Sequence, residues 1–387
     1  MTIKNLTHST KYLDLSNFTL KTEKETISHV SRINNFNFRE SVNAHEQNSA
    51  LYSYTPDIYH PVINNIVGIP PKSSWSFSSS FVSLNETAGL FKKRPFNLND
   101  LTTNIIRLIH PLKNKKFGVQ LSGGLDSSLI IGILRNVGIE PVLIGLSNDR
   151  YEFRTERIIQ EILLDGLSNN QLISDDDYLP FSGLLNIPKH PLPNSSSIFY
   201  SSENKMAQLF AEQRVDIVLN GMGLDTILCL SPNSKYRKQW YPFMFDNGWF
   251  RDFVYQPKGL NFSTAINSPS LINIIWNLRN NEGEDNSKEW ARKHFSEFLP
   301  NELVNFRYKA DHAGLLIDGI KSNFKTLEYL YEFAFENTKC SEFSKDEFLT
   351  LFKNCHLNDD KKIKLILSRT SYAVWLYSLF KDKMPSS

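Results

Sequence analysis

Between Phe117 and Leu219 short apolar runs alternate with longer amphipathic stretches, the pattern of buried strands separated by helices. Phe117-Gly118-Val119-Gln120-Leu121 is the first run, and Leu129-Ile130-Ile131-Gly132-Ile133-Leu134 continues as a helix beginning near Asp126. Pro141 to Ser147 repeats the strand pattern and Glu152 to Leu164 the helical one, and Gln171-Leu172-Ile173 offers a short third strand. Ser201 to Glu212 then reads as a helix and Val215 to Leu219 as the next strand. Such alternation predicts an α/β fold built on a doubly wound parallel sheet, with ligands at the carboxyl ends of its strands.

The flanks read differently. Residues 1–100 predict a small, mostly β N-terminal domain, with Tyr12 to Leu15, Phe18 to Lys21 and Trp75 to Leu84 as strands and a turn at Ile69-Pro70-Pro71-Lys72. Leu101 to His110 predicts a helix, with Asn99 or Asp100 at its start and Pro111 at its end. It opens the second domain, residues 101–387. Beyond about Pro232 the alternation gives way to aromatic, amphipathic helical segments, notably Trp276 onward, Phe324 to Phe335 and Ile363 to Phe380.

Chemistry concentrates where strands meet helices. After Leu121 comes Ser122-Gly123-Gly124, and a strand feeding a glycine turn and a helix N-terminus makes an anion site. The glycines allow close backbone approach to a phosphate, and Ser122, Ser127 and Ser128 add hydroxyls. The loop has neither the GxxxxGK[ST] nor the GxGxxG spacing, and it carries a carboxylate, Asp126, which suits Mg²⁺ held against phosphates. A second apolar run ends in Asn220-Gly221-Met222-Gly223-Leu224-Asp225, so Asp225 emerges at another strand's carboxyl end. Asp126 and Asp225 converging on one rim would hold Mg²⁺ with phosphates between them.

Composition narrows the classes. The 387 residues are 41% hydrophobic, enough for two packed domains, and the net charge of +2 gives no electrostatic case for nucleic acid as the main partner. Cys229, Cys340 and Cys355 lack metal-site spacing and read as reduced thiols of a cytoplasmic protein. The N-terminal residues form no signal-like apolar segment, and no apolar run nears the roughly 20 residues of a membrane span.

SGGLDS at a strand–helix junction resembles the loop of the ATP pyrophosphatases. SGGLDSS, a strand ending in Gly145-Leu146-Ser147, Tyr151-Glu152 and then LNGMGLD together resemble the synthetase domain of the asparagine synthetase family, whose relatives include β-lactam synthetases and lasso-peptide cyclases. The likeness covers about Leu101 to Leu228 well and the C-terminal third faintly. It implies that ATP adenylates a carboxylate and that an amine then displaces AMP to form an amide. It further implies that Ser122, Gly123, Gly124 and Ser127 bind phosphates, that Leu121 and Leu146 flank the nucleotide, and that Asn220 and Gly221 meet its AMP part. Asp126 and Asp225 would hold Mg²⁺. The family's lysine ahead of an apolar-Arg helix falls on Lys364, or next on Lys362, and Arg307 to His312 resembles its Arg/Asp-bearing stretch.

The departures shape the expectation. Met222 stands where asparagine synthetases carry a glutamate and β-lactam synthetases a tyrosine, and Thr226 replaces the last acid. Residue 2 is Thr2, where the family's glutaminase domain presents a cysteine. The resemblance therefore implies an AMP-forming amide synthetase acting on a small-molecule or peptide carboxylate and amine, in lasso-cyclase-like tailoring. Asparagine formation from free ammonia, a tRNA-modifying enzyme with the same loop, and a degenerate nucleotide-binding partner protein stay open beside it. A pathway partner protein or a second copy of the chain stays open as partner, as does the boundary of the substrate site near Pro191 to Ser195.

Overall fold

The computed structural model describes residues 2–4, 11–14, 66–69, 74–77, 82–85, 114–166, 171–190, 193–222, 248–264, 289–305, 313–353 and 360–381, with Thr103, Leu112 and Leu224 as isolated positions. The strand expected at Phe18 to Lys21, the helix at Leu101 to His110 apart from Thr103, and residues 276–288 of the segment from Trp276 lie outside the described residues.

Near the N-terminus five short strands are described: β1 (Thr2–Lys4), β2 (Lys11–Asp14), β3 (Ile66–Ile69), β4 (Ser74–Phe77) and β5 (Val82–Asn85). They form an antiparallel sheet in the order β1-β4-β5 and an antiparallel pair β2-β3. The stretch Trp75 to Leu84, expected as one strand, is two strands in register Phe77↔Val82. Three consecutive serines, Ser78 to Ser80, interrupt its alternation, and neither β1 nor β3 was anticipated.

From Phe117 the alternation expected from the sequence appears. The strands are β6 (Phe117–Gln120), β7 (Val142–Ser147), β8 (Gln171–Ser174), β9 (Ile217–Asn220) and β10 (Asn261–Thr264). Between them run α1 (Leu125–Asn136), α2 (Arg154–Leu164) and α3 (Tyr200–Glu212). All neighbouring pairs in this five-stranded sheet are parallel, in the order β10-β9-β6-β7-β8. The chain lays β7 and β8 to one side of β6 and then β9 and β10 to the other. The order thus reverses between β6 and β9, the position at which parallel sheets open a crevice at their carboxyl ends. β10 corrects the expectation that strands end before Pro232. Only Phe262 in Asn261-Phe262-Ser263-Thr264 is strongly apolar, and it stacks on Tyr255 at 4.3 Å between ring centroids.

Apolar residues on both sheet faces explain why β6 and β7 are central strands. Phe117, Val119, Leu143, Ile144 and Val218 are buried with Leu129, Ile131 and Leu134 of α1, Ile159 and Leu163 of α2, and Phe210 of α3. Each such side chain contributes about 1.5–3 kcal/mol on burial.

Further helices are α4 (Glu289–His294), α5 (Asn301–Asn305), α6 (Ala313–Ser322), α7 (Phe324–Thr338), α8 (Lys345–Lys353) and α9 (Asp360–Phe380). Contacts divide the chain into two compact units. One is Met1–Thr87 with Leu179–Ser201 and His312–Ser387, and the other is Ala88–Tyr178 with Ser202–Asp311, which holds the parallel sheet. In the first unit α7 and α9 lie together, and Tyr331 meets Phe343, Phe348 and Phe352 with ring centroids 5.1 to 5.6 Å apart. Buried Arg369 of α9 bonds Glu347 at 3.1 Å and the Glu342 carbonyl at 3.2 Å. Among the described residues no helix is long and apolar enough to cross a membrane.

Candidate functional site

The first loop runs from the end of β6 into α1. Leu121 N–H bonds the Ile144 carbonyl at 2.9 Å, so pairing with β7 continues to the loop's edge. Gly123 then takes φ +77°, and a Cβ there would lie 2.2 Å from the Glu156 carbonyl oxygen. Only glycine fits, because the left-handed backbone and the α2 backbone both exclude a side chain. The loop is held mainly by its own hydroxyls. Ser122 and Ser127 oxygens are 2.9 Å apart, Gly124 N–H donates to Ser122 Oγ at 3.2 Å, and Ser128 Oγ donates to the Gly124 carbonyl at 2.8 Å. Gly124 is the N-cap of α1 and no side chain caps it. The first-turn amides of a twelve-residue helix therefore end at this loop.

The second loop follows β9. Gly221 lies so close to α1 that an added Cβ would come within 2.9 Å of Asp126 Cβ and 3.0 Å of the Ser127 nitrogen. The second glycine turn therefore packs against the first turn of α1 across the reversal in strand order, with Asp126 at the contact. Ser122 is exposed, Gly124, Asp126, Leu146 and Gly221 are half-buried, and Leu121, Gly123, Ser127 and Asn220 are buried. Asp225 lies outside the described residues, as do Arg307 to His312. Lys362 is half-buried in the first turn of α9, in the helical unit, and Lys364 follows it there with its side chain outside the described residues.

Three groups that the sequence did not single out complete the rim of the sheet. Gln160, buried on α2, donates one amide to two carbonyls, Leu121 at 3.1 Å and Leu146 at 2.8 Å, fastening the carboxyl ends of β6 and β7 together. Beyond β7 and β8, Asn148 donates to both Asp175 oxygens at 2.8 and 2.7 Å, and burial raises the Asp175 carboxyl despite that bond. Beneath the second loop, Gln120 Nε2 meets Glu203 Oε2 at 2.7 Å and the Tyr255 hydroxyl at 2.5 Å, and Tyr255 donates to the same Glu203 oxygen at 2.8 Å. Burial pushes Glu203 up from 4.5 to about 7 and holds the Tyr255 phenol protonated well above its usual range. Asn220 links this cluster to the loop: its Nδ2 donates to Gln120 Oε1, and its Oδ1 accepts from Met222 N–H at 2.5 Å.

Among the described residues no group of three or more His, Cys, Asp or Glu gathers as a ready-made metal site. Mg²⁺ does not require one. It is ordinarily held by one or two carboxylates together with phosphate oxygens and water. Asp126, on the first turn of an uncapped helix and against the Gly221 backbone, is a donor of that kind. No family model matches the chain, and neither does any curated protein.

Proposed function

We propose that the chain is an ATP-dependent, AMP-forming amide synthetase, which adenylates a substrate carboxylate and joins it to an amine. The observation that carries the reading is the contact of Gly221 with Asp126. It brings an SGGLDS loop and a second glycine turn together where the order of a parallel sheet reverses. Such a junction offers backbone N–H groups, hydroxyls and a carboxylate to a triphosphate.

In this reading Ser122, Gly123, Gly124 and Ser127 bind the phosphates, Leu121 and Leu146 flank the nucleotide, and Asn220 and Gly221 meet its AMP part. Asp126 and Asp225 would hold Mg²⁺, which would neutralise phosphate charge. A substrate carboxylate oxygen attacks the α-phosphorus, and the bond to the β-phosphate oxygen breaks as pyrophosphate leaves. The amine nitrogen then attacks the acyl carbon of the adenylate, AMP departs with the electron pair of the broken C–O bond, and the nitrogen loses a proton. A cation beside the α-phosphate would offset charge on the departing pyrophosphate. Met222 has no proton to exchange, so the group that deprotonates the amine is a different one.

The test is ATP–pyrophosphate exchange in Mg²⁺ buffer against pooled amino acids and peptides, with ammonia among the amines offered in the full reaction. Exchange with one pool is expected, and its loss by about 100-fold or more in Asp126→Asn and Asp225→Asn. Folded wild-type protein that binds ATP yet exchanges with no pool would instead favour a nucleotide-binding partner protein.

A further inference from the structure

The polar cluster beneath the second loop has a direction. Met222 N–H can only donate, so Asn220 must present its oxygen to it and turn its NH₂ toward Gln120. Gln120 must then offer its oxygen to Asn220 and its NH₂ to whatever lies beyond. A row of amides polarised in this sense has to end on an acceptor, and it ends on Glu203 Oε2, with the Tyr255 hydroxyl closing a three-membered ring. Replacing Glu203 by an apolar residue would leave the Gln120 NH₂ without that acceptor in a buried site.

Nothing about strand pairing requires this arrangement. β6 and β9 are already paired through Phe117↔Ile217, Gly118↔Val218 and Val119↔Leu219. The side chains add a second connection, from α3 and from the π-helical turn Arg251–Tyr255, to the one peptide that follows β9. π-helical turns of this kind recur at functional sites. Here the turn ends on Tyr255, whose ring stacks on Phe262 of β10 and whose hydroxyl reaches Glu203.

We infer that Gln120, Glu203 and Tyr255 are positioning residues for the Asn220–Met222 turn, fixing the Asn220 carboxamide and through it the Met222 backbone N–H at the mouth of the crevice. The inference rests on the proposed reading only in calling the turn's ligand a nucleotide. None of the three touches that ligand. They act through Asn220.

The experiment reads the turn and the ligand separately. The chain has five methionines, so ¹⁵N-methionine labelling gives a short spectrum in which Met222 is assigned by Met222→Leu. Gln120→Met keeps the volume and removes the amide bridge. It should speed hydrogen exchange of the Met222 amide by about tenfold, equal to one lost hydrogen bond, and raise the KM for ATP by about the same factor with kcat within about twofold. Tyr255→Phe, which keeps the ring on Phe262, should do so by about threefold and stands in if Gln120→Met does not fold. The exchanged pair Gln120→Glu with Glu203→Gln keeps one amide and one carboxylate in the ring, and is expected to return both readouts to within about twofold of wild type.

Unchanged Met222 exchange in a folded Gln120→Met or Tyr255→Phe protein overturns the inference. So does a matched fall of kcat with no rescue by the exchanged pair. A wild-type protein that neither binds nor turns over ATP, while Gln120→Met still frees the Met222 amide, overturns the nucleotide reading and leaves the positioning role standing.

Discussion

The two glycine turns at the centre of the sheet are held in opposite ways. The first, Ser122 to Gly124, is held by hydroxyls that lie within a few positions of it in the chain, Ser127 and Ser128 on the helix it opens. The second, Asn220 to Met222, is held through side chains from β6, α3 and the turn before β10, up to 135 positions apart. The first can take its hydrogen-bonded shape as soon as α1 forms. The second has it only when the whole sheet has assembled. A loop of the first kind is rigid by local chemistry, whereas one of the second kind reports on the state of the fold beneath it.

The largest way to break this comparison is to break the local loop itself. Gly123→Ala places a methyl group where the Glu156 carbonyl oxygen stands and asks alanine for φ +77°. Because the obstacle is α2 backbone, it cannot rotate away. The cost is expected at about 3 kcal/mol or more, read as a fall in the denaturant midpoint together with loss of ATP-dependent exchange. A substitution that left both unchanged would mean that the turn does not need its left-handed residue.

The next test concerns the long-range loop and uses pH. Glu203 has its folded value raised from 4.5 to about 7, so the folded protein binds the proton more tightly than the unfolded chain. Its contribution is fully present below about pH 4.5 and is lost as pH rises through about 7. The difference is on the order of 3 kcal/mol, since one pH unit corresponds to about 1.4 kcal/mol. Buried His190, in the helical unit, slopes the other way. Its folded value is lowered from 6.5 to about 4, so its contribution is present above pH 6.5 and lost as pH falls through about 4. Comparing wild type with Glu203→Gln cancels His190 and the raised Asp175, which both proteins share. Unfolding free energies at pH 5 and pH 8 should show wild type losing stability relative to the variant as pH rises. A difference independent of pH would show that Glu203 is ionised throughout.

The contrast between the loops also explains what could be read from the sequence. Apolar runs at Phe117, Val142 and Ile217 gave β6, β7 and β9 within a residue or two, because the inner strands of a parallel sheet are largely buried and read as apolar segments, while the edge strand β8 showed only as the short run Gln171-Leu172-Ile173. The SGGLDS loop was legible for the same reason that it is rigid: its partners are its neighbours. β10 was not legible, since Asn261-Phe262-Ser263-Thr264 becomes a strand only by pairing with β9 and placing Phe262 on Tyr255. Gln120 lies within an apolar run, Glu203 is one glutamate of a helix and Gln160 one polar residue of α2, and nothing in the sequence set them apart. Each acquires its role from a partner far along the chain, and no local spacing announces that. Asp126 was placed by its motif, but its contact with Gly221 needed the strand order.

The smallest expected effect is also the one that asks whether the two loops are separate devices. Ser127→Ala removes the hydroxyl that meets Ser122 Oγ at 2.9 Å, Ser122 N–H at 3.3 Å and the Gly124 carbonyl at 3.3 Å. Its cost to stability should be about 1 kcal/mol, because Ser122 Oγ is exposed enough to turn to water. Combined with Gln120→Met, the two losses should add to within about 0.5 kcal/mol, since the serine network and the Gln120 network have no hydrogen-bonding partner in common. Among the described residues two paths join them: Leu121, which links Gln120 to Ser122 in the chain, and the Gly221 backbone resting against Asp126 and the Ser127 nitrogen. An interaction energy above about 1 kcal/mol in that double-mutant cycle, measured by denaturant unfolding, would mean that the two networks are coupled through Leu121 or the Gly221 contact, and that a disturbance at buried Glu203 reaches the phosphate-binding loop as well as its own.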